Sequence, residues 1–360
     1  MPTQHLLDQL DDLPNWLTER GYPQFRAGQI RHWLFQSRVD SFHKMTTLPL
    51  KLRDELDNEF HIFSGTTAAH QTSSDHTEKL LTRLSDGNGI ESVLLREGIR
   101  RTICVSSQVG CAMGCVFCAS GLDGVERNLT SGEILEQMLR LSQLLPTEER
   151  LTHIVMMGMG EPLANLENVL KALFWASHPD GLGISPRRIT ISTVGLPAAI
   201  KKLAEKDCRY HLAVSLHAPN DILRNEIVPV NRKIGIEAIL AAADDYFEAS
   251  GRRLTFEYVL LAGINDQTEH AEELGKLIAK RNILLNVIPY NPVADLPYKT
   301  PSNRAIQNFQ SVLEKKYRVR IKFRKRKGDQ INAACGQLRR ANSNTNIVTI
   351  NPPYPVSPAQ

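Results

Sequence analysis

The chain has 360 residues, of which 42% are hydrophobic and 23% are charged, as in ordinary soluble globular proteins. This length allows one large α/β domain with a smaller attachment, or two domains. No apolar run is long enough to cross a bilayer, and the acidic N-terminus is broken by Pro14, which argues against a secretory signal. We therefore expect a cytoplasmic protein without a membrane partner.

The net charge of +4 is modest, but basic residues concentrate in two segments. Seven Lys or Arg stand against two Asp or Glu between Glu19 and Arg53, and nine of thirteen residues are basic from Lys315 to Lys327. Two basic segments on a near-neutral background indicate a polyanionic partner, either RNA or DNA. The alternative is that both segments are solvated charged faces.

The first 75 residues predict a small helical unit. Apolar residues recur at helical spacing over 21–39, and another helix is expected after Pro49. The polar stretch 70–78 predicts a linker. A β-hairpin extension is expected over 76–100, where "KLLTRLS" and "IESVLL" flank the turn residues "DGNG".

After this hairpin, strand-like apolar runs alternate with amphipathic helical stretches. This rhythm predicts parallel strands covered by helices, arranged as a barrel or part of one. Functional side chains are then expected just after the strands, at their C-terminal ends. The polar, Pro-rich last twenty residues predict a loose tail. The strands are expected within "RTICVSSQ" and within 151–158, 187–195, 210–216, 254–263 and 282–291.

Four of the six cysteines fall within "CVSSQVGCAMGCVFC", residues 104–118. Cys111, Cys115 and Cys118 have C-x3-C-x2-C spacing, which lets three thiolates converge from one tight loop. Three closely spaced cysteines suit a four-iron cluster with one iron open to substrate. Structural zinc sites instead show four ligands in two separated pairs, so the alternative is a zinc knuckle completed by a distant Cys or His. Cys104 lies outside this spacing.

With Phe117 between its last two cysteines, the loop resembles the signature of the radical S-adenosylmethionine (SAM) superfamily. The motifs "CVSSQVGCAMGCVFCASG", "MMGMGEPLAN", "ISTVG", "VSLHAPND", "IPYNP" and "INAACGQL" have the order and register of the RlmN/Cfr family of RNA adenine methyltransferases. The resemblance runs from about Lys79 to Leu338. The segment "FRAGQIRHWLF" also resembles that family's accessory RNA-binding domain.

The resemblance implies an α/β fold built on a partial (β/α)6 TIM-like barrel, with a small N-terminal helical accessory domain. On this basis the barrel is expected over 101–326 and the accessory domain over 1–75. A C-terminal loop is expected over 327–340 and a flexible tail over 341–360.

The resemblance also implies the cofactors. Cys111, Cys115 and Cys118 would hold a [4Fe-4S] cluster, whose open iron chelates the amino and carboxylate groups of SAM. One electron then cleaves SAM to methionine and a 5′-deoxyadenosyl radical. Two SAM molecules would be used in each turnover.

Three further residues match the family's catalytic positions. Cys335 matches the cysteine that takes a methyl from one SAM and carries it as S-methylcysteine. Glu91 matches the general base that removes a proton from the adenine ring. Cys104 matches the cysteine that forms a transient disulfide with Cys335 and frees the product. Cys208 matches none of these positions and is expected to be structural.

Motifs at the strand ends match the SAM contacts of the family. The carboxylate of Glu161 would pair with the SAM ammonium, and the preceding glycine would allow close backbone approach. Each of these residues considered alone could instead be a loop residue that satisfies the backbone. The expected SAM contacts are Gly160, Glu161, Ser192, Ser215, Leu216, His217 and Asn291.

Basic and apolar residues alternate in "YRVRIKFR", residues 317–324. This period of two predicts a strand with apolar side chains on the core and a row of basic side chains outside. Such a row could bind RNA phosphates, or it could be a charged edge strand that discourages aggregation. The expected RNA contacts are Arg320, Lys322, Arg324 and Arg326.

The resemblance implies methylation of adenine carbon 2 in 23S rRNA, and of tRNA beside the anticodon. A Cfr-like enzyme would methylate carbon 8 instead, and Val109 favours the RlmN pattern. A metal-stabilised RNA-binding protein without turnover is the alternative from another class. An electron donor such as flavodoxin or ferredoxin is expected as a partner, and the chain is expected to be a monomer.

Overall fold

The computed structural model describes residues 3–206, 210–294, 296–324 and 327–339. Its N-terminal part is a helical unit in which both helices expected from the sequence are present. Pro49 caps the N-terminus of the last helix, where its fixed φ and missing N–H are tolerated. The elements are β1 (Gln4–His5), α1 (Leu13–Glu19), α2 (Arg26–Phe35), α3 (Leu50–Glu59) and β2 (Phe60–His61), with β1 and β2 paired in parallel.

The rest of the fold is organised by a ten-stranded mixed sheet, with a separate two-stranded ribbon formed by β7 and β8. The strands are β3 (Thr66–Thr72), β4 (Glu78–Arg83), β5 (Gly89–Glu97), β6 (Arg100–Cys104), β7 (Gln108–Gly110), β8 (Val125–Asn128), β9 (His153–Met156), β10 (Ile189–Thr193), β11 (His211–Ser215), β12 (Leu254–Leu260), β13 (Ile283–Pro289) and β14 (Ile321–Phe323).

The strand order is β14-β13-β12-β11-β10-β9-β6-β5-β4-β3, so the sheet does not close on itself. Strand β6 and strands β9 to β14 pair with one another in parallel. The pairs β3–β4, β4–β5 and β5–β6 are antiparallel. Strands β6 and β9 to β13 are each followed by helix. This succession confirms the α/β, partial (β/α)6 prediction. The helices are α4 (Ser131–Gln143), α5 (Leu166–Ser177), α6 (Pro197–Ala204), α7 (Asp221–Ile227), α8 (Ile236–Ser250), α9 (Thr268–Ile278) and α10 (Asn303–Ser311).

The hairpin predicted from "DGNG" is formed by β4 and β5, and Gly87 takes a φ of 84° in its turn. The linker predicted over 70–78 is wrong in part, because β3 extends to Thr72 and pairs with β4. The polar side chains of β3 are tolerated because it is the edge strand of the sheet, where water reaches them while the backbone is paired. The division of the chain at residue 75 stays a prediction.

Helix α4 joins the N-terminal unit to the sheet. Thr130 and Glu133 form a capping box at its start. Asp8 Oδ1 of the N-terminal unit accepts hydrogen bonds from Ser131 Oγ and Gly132 N, each at 2.6 Å. A carboxylate is favourable there because the first amide groups of a helix lack partners and carry partial positive charge. One cluster of buried apolar side chains continues from the N-terminal unit through the sheet.

None of the helices in the described ranges is long and apolar enough to span a membrane. The predicted tail over 341–360, Cys208 and Arg326 lie outside the described residues.

Candidate active site

A cavity lies where the parallel strands end, which is where functional side chains were expected. Side chains from the ends of β9, β10, β11 and β12 line it together with the cysteine loop and the C-terminal loop. Most of the sequence-predicted cluster and SAM residues are brought together in its wall. Those that line it are Cys111, Cys115, Cys118, Gly160, Glu161, Ser192, Ser215, His217, Asn291 and Cys335.

The cysteine loop is closed at its base by the ribbon of β7 and β8. The Cys111 amide donates to the Gly124 carbonyl at 2.9 Å, and Gly110 takes a φ of 79°. A Cβ on Gly110 would stand 2.0 Å from the Gly124 oxygen, so only glycine fits at this position. The ribbon therefore fixes the position of Cys111, which follows directly after β7.

The three loop cysteines are partly buried free thiols. Burial raises the pKa of Cys111 to about 12, and burial also raises the pKa of Cys115 and Cys118. They therefore hold their protons until a metal replaces them. No three His, Cys, Asp or Glu side chains in the described ranges converge as ligands of a single ion. Three thiols that share one cavity are a donor set that fits an iron–sulfur cluster.

Glu161 follows β9 and is only 3% exposed. Its Oε1 accepts from the Leu163 amide at 3.0 Å and its Oε2 accepts from the Val194 amide at 2.7 Å. Burial raises the pKa of Glu161 to about 7, and these backbone hydrogen bonds oppose the rise. Gln108 Oε1 accepts from the Glu161 amide at 2.8 Å, which ties the cysteine ribbon to this strand end.

His217 follows β11 and is buried with a φ of 62°. The Val259 amide donates to its Nδ1 at 3.1 Å, so a neutral ring carries its proton on Nε2. Burial lowers the pKa of His217 to about 3, and the nearby Arg224 lowers it further. Phe117 of the cysteine loop packs edge-on against the ring with centroids 4.9 Å apart. His217 is thus a neutral hydrogen-bonding group in the cavity.

The remaining predicted SAM residues differ in whether they reach the cavity and in whether they have a free hydrogen-bonding group. Ser192 and Ser215 are partly buried in the cavity wall. Leu216 is fully buried and does not line the cavity, because strand side chains alternate between the two faces. Asn291 donates from Nδ2 to the Cys335 carbonyl at 3.1 Å, while its buried Oδ1 has no partner among the described protein groups.

Cys335 and Cys104 differ in their access to the cavity. Cys335 lines the cavity and is exposed there, whereas Cys104 ends β6, is partly buried and lies outside the cavity wall. Both are free thiols. Burial raises the pKa of Cys104 to about 12, and the charge of the Cys335 sulfur raises it further, so the two sulfurs lie within electrostatic range.

Glu91 lies on β5, next to the C-terminal loop. Its Oε1 forms an ion pair with Lys79 Nζ at 2.7 Å, and its Oε2 accepts from the Arg339 amide at 3.0 Å. Lys79 also donates to the Asn332 carbonyl at 3.2 Å. The Lys79–Glu91 ion pair therefore binds the loop both before Cys335, at Asn332, and after it, at Arg339. The sequence did not single out Lys79, because one Lys in a strand gives no signal of its partner.

Exposure alternates over 318–322 as predicted, but the strand is shorter than predicted, because β14 comprises only Ile321–Phe323 and Arg318 takes a φ of 54°. Val319 is buried, whereas Arg318, Arg320 and Lys322 are exposed. Arg324 is the exception, because it is only partly exposed and its Nη2 donates to Oε1 of the buried Glu257 at 3.2 Å.

Glu257 is a cavity residue that the sequence reasoning missed. It lies on β12 and is 4% exposed, and Asn286 Nδ2 donates to its Oε1 at 2.8 Å. Its Oε2 is buried without a hydrogen-bond partner among the described protein groups, and burial raises the pKa of this carboxyl group. The available signal was a single acidic residue within the otherwise apolar strand "LTFEYVL".

Comparison with known proteins gives two family matches. Residues 105–275 match the radical SAM superfamily, and residues 6–62 match the N-terminal domain of ribosomal RNA large subunit methyltransferases. A crystal structure of a radical SAM methyltransferase from Sphaerobacter thermophilus superposes with a TM-score of 0.90 and 41% identity. It covers 93% of this chain and 99% of that chain.

Two curated relatives span nearly the whole sequence. A Rhodopirellula baltica protein named "Probable dual-specificity RNA methyltransferase RlmN" is 67% identical over 93% of this chain and 91% of its own. A Bacillus licheniformis protein of the same name is 43% identical over 92% of both chains.

The open mixed sheet, with a three-thiol loop at the C-terminal ends of its parallel strands, defines a radical SAM enzyme. Because the similarity extends through the N-terminal unit, the chain belongs to the RlmN family of radical SAM RNA methyltransferases.

Proposed function

We propose that this protein methylates carbon 2 of an adenine in 23S rRNA, and an adenine in tRNA as well. The observation that carries the proposal is that Cys335 and the three loop cysteines line one cavity. A methyl-carrying sulfur and a SAM-cleaving cluster need such a shared space. The dual specificity in the names of the two relatives supports tRNA as the second substrate.

In this proposal Cys111, Cys115 and Cys118 would hold a [4Fe-4S] cluster, which would supply the electron for reductive cleavage of SAM. Glu161 pairs with the SAM ammonium, and the φ of 97° at Gly160 lets the backbone approach closely. The open Oδ1 of Asn291 offers a hydrogen-bond acceptor beside them. Ser192, Ser215 and His217 complete the SAM contacts, whereas Leu216, which was also expected to contact SAM, is fully buried outside the cavity wall.

Cys335 acts first, as a nucleophile. Its thiolate attacks the methyl carbon of one SAM, so that a sulfur–carbon bond forms and the carbon–sulfonium bond breaks. S-Adenosylhomocysteine leaves with the bonding electron pair. A radical is then needed because adenine carbon 2 lies between two ring nitrogens and is too electron-poor to act as a nucleophile. A second SAM would be cleaved to methionine and a 5′-deoxyadenosyl radical, which would take a hydrogen atom from the S-methyl group of Cys335 and leave as 5′-deoxyadenosine.

Glu91 and Cys104 complete the reaction. After the methylene radical of Cys335 has added to carbon 2, Glu91 would take the proton from that carbon. One electron would leave the adduct radical for a one-electron acceptor, a role that the oxidised cluster would supply, so that the ring becomes aromatic again. The thiolate of Cys104 attacks the sulfur of Cys335 and forms a disulfide, while the electron pair of the broken carbon–sulfur bond stays on the carbon and is protonated. A reductant returns both cysteines to thiols. Arg339, four residues after Cys335, donates its amide hydrogen to Glu91. This contact supports the proposal that Glu91 and Cys335 act on the same base.

The RNA would approach along the exposed side chains of Arg320 and Lys322, with Arg326 as a further contact outside the described residues. Arg324 was expected in this row, but its ion pair with Glu257 favours a role beside the thiols. The target base must leave its stack to reach the cavity. We further propose a cytoplasmic monomer that receives electrons from flavodoxin or ferredoxin.

Nucleoside mass spectrometry tests the proposal. Cells that lack the protein are compared with cells that express the wild type or Cys335→Ala. We expect 2-methyladenosine in 23S rRNA and tRNA with the wild type alone. 8-Methyladenosine would assign the Cfr-type reaction instead. Neither nucleoside, together with no 5′-deoxyadenosine from SAM and a reductant in an anaerobic assay, would identify a non-catalytic RNA-binding protein.

A further inference from the structure

Arg224 on α7 is a fully buried arginine that none of the proposed steps uses. Its Nε donates to the Leu216 carbonyl at 2.9 Å. Its Nη2 donates to the Val194 carbonyl at 2.6 Å and the Ser215 carbonyl at 2.9 Å, and its Nη1 donates to Asn231 Oδ1. The guanidinium therefore holds together the chain segments that leave β10 and β11.

The charge of Arg224 is not neutralised by a direct partner. Within the described part of the chain, no carboxylate oxygen forms an ion pair with it. Asp221 is hydrogen-bonded to it through Asn231, whose Nδ2 donates to Asp221 Oδ1 at 2.8 Å, and the charge of Asp221 acts on the guanidinium without direct contact. An unpaired buried charge costs several kcal/mol. Hydrogen bonds to neutral carbonyl groups reduce this cost but supply no negative charge.

The cysteine loop lies against the same helix. The Val116 amide donates to the Ile227 carbonyl at 3.1 Å, three residues after Arg224. Ile227 packs in one apolar cluster with Cys115 and Cys118. Val194 and Ser215, whose carbonyls accept hydrogen bonds from Arg224 Nη2, line the same cavity as the three loop cysteines. The charge thus lies directly behind the wall of the cavity in which thiolates would collect.

We propose that Arg224 is the fixed countercharge of the iron–sulfur cluster. This inference rests on the cluster in the proposed function and adds a residue that sets its electrostatics. Bound thiolates and sulfides give the site the negative charge that the buried guanidinium lacks. A positive charge nearby favours the reduced cluster, which carries one more electron, so Arg224 raises the reduction potential of the cluster.

The test compares reduction midpoint potentials of the reconstituted wild type with those of Arg224→Gln and Arg224→Lys. Each protein is titrated with dithionite, which supplies the electron, and the reduced cluster is followed by electron paramagnetic resonance. Arg224→Gln keeps hydrogen-bond donors but no charge, and we expect a more negative midpoint. Arg224→Lys keeps the charge and should stay near the wild type. Equal midpoints for wild type and Arg224→Gln, or equal displacement in both variants, would overturn the proposal.

A second measurement distinguishes the loss of a countercharge from a general loss of stability in the variant. The thermal midpoint is recorded with and without the cluster, and the gain on loading should be smaller in Arg224→Gln than in the wild type, because the countercharge is absent. An equal or larger gain contradicts the proposal even if the variant folds poorly. Arg140→Met serves as the control, because Arg140 is also largely buried but pairs with Glu136 on α4.

The two proposals fail in different ways. If the wild type forms no cluster under reconstitution, the proposed function fails. If the wild type forms a cluster and methylates RNA but Arg224→Gln has an unchanged midpoint, only the countercharge is wrong.

Discussion

Arg324 donates from Nη2 to Glu257 Oε1 at 3.2 Å, and the charge of this arginine acts on the sulfurs of both Cys104 and Cys335. Sequence alternation predicted Arg324 among the outward-facing basic residues. The ion pair instead brings a positive and a negative charge to the two thiols whose ionisation the proposed reaction requires. Thiolate formation at Cys335 should therefore depend on both members of the pair.

The first prediction concerns the reactivity of Cys335. Although the Cys335 side chain is exposed to the cavity, desolvation by the surrounding protein raises the pKa of this thiol, Arg324 opposes the rise, and Glu257 adds to it. Arg324→Met should move the pH profile of Cys335 alkylation by iodoacetamide to higher pH. Below its midpoint the rate should fall roughly tenfold for each pH unit of displacement. Glu257→Gln should move the profile to lower pH. Peptide mass spectrometry of the reconstituted enzyme measures the rates.

Arg320→Met is the matched control for this experiment. Arg320 lies four residues before Arg324 but is exposed, so its loss should leave the alkylation profile where it is in the wild type. Displacement by all three variants in the same direction would show that the Arg324–Glu257 pair has no specific effect on Cys335.

The second prediction concerns product release. Cys104→Ala removes the thiol that frees Cys335, so the enzyme should purify after expression with covalently attached RNA. Digestion to nucleosides followed by peptide mass spectrometry should locate the adduct on Cys335. The double variant Cys104→Ala/Cys335→Ala should carry none. A Cys104→Ala protein without adduct that methylates RNA at the wild-type rate would contradict the role of Cys104.

The third prediction concerns the base of the cysteine loop. Gly110→Ala should prevent cluster assembly, because its Cβ would stand 2.0 Å from the Gly124 carbonyl oxygen. Gly124→Ala is the control, since it has a similar positive φ of 67° but open space around its Cβ. Its cost should be only the strain of a left-handed residue, about 1 kcal/mol. Iron and sulfide content should fall strongly in Gly110→Ala and little in Gly124→Ala.

The fourth prediction concerns the pH dependence of stability in the cluster-free protein. Burial raises the pKa of Glu161 to about 7 in the folded state, above the ordinary value of 4.5. The folded protein thus holds a proton that the unfolded chain releases as pH rises from 4.5 towards 7. The contribution of Glu161 to the free energy of unfolding should fall across this range. Glu161→Gln should remove that part of the slope in denaturant titrations, and an unchanged slope would show that Glu161 ionises normally.

Much of the fold followed from local patterns. The apolar runs of β9 to β13 and the "DGNG" hairpin are visible because burial imposes a period on the sequence and turns require particular residues. The strand β3 was missed, because an edge strand needs only one paired side and can carry polar residues. Its assignment depends on a partner strand, which no local pattern contains.

The features of the site can be separated in the same way, into those visible in the local sequence and those that depend on tertiary contacts. By itself, the sequence determined the cysteine spacing, the order of the motifs at the strand ends, and the resemblance of Glu91, Cys104 and Cys335 to a family's reacting groups. The tertiary structure decided that Arg324 turns inward to Glu257 and that Arg224 is buried beside the cysteine loop. The physical reason is that charge stabilisation depends on distance and burial, and residues far apart in sequence set both.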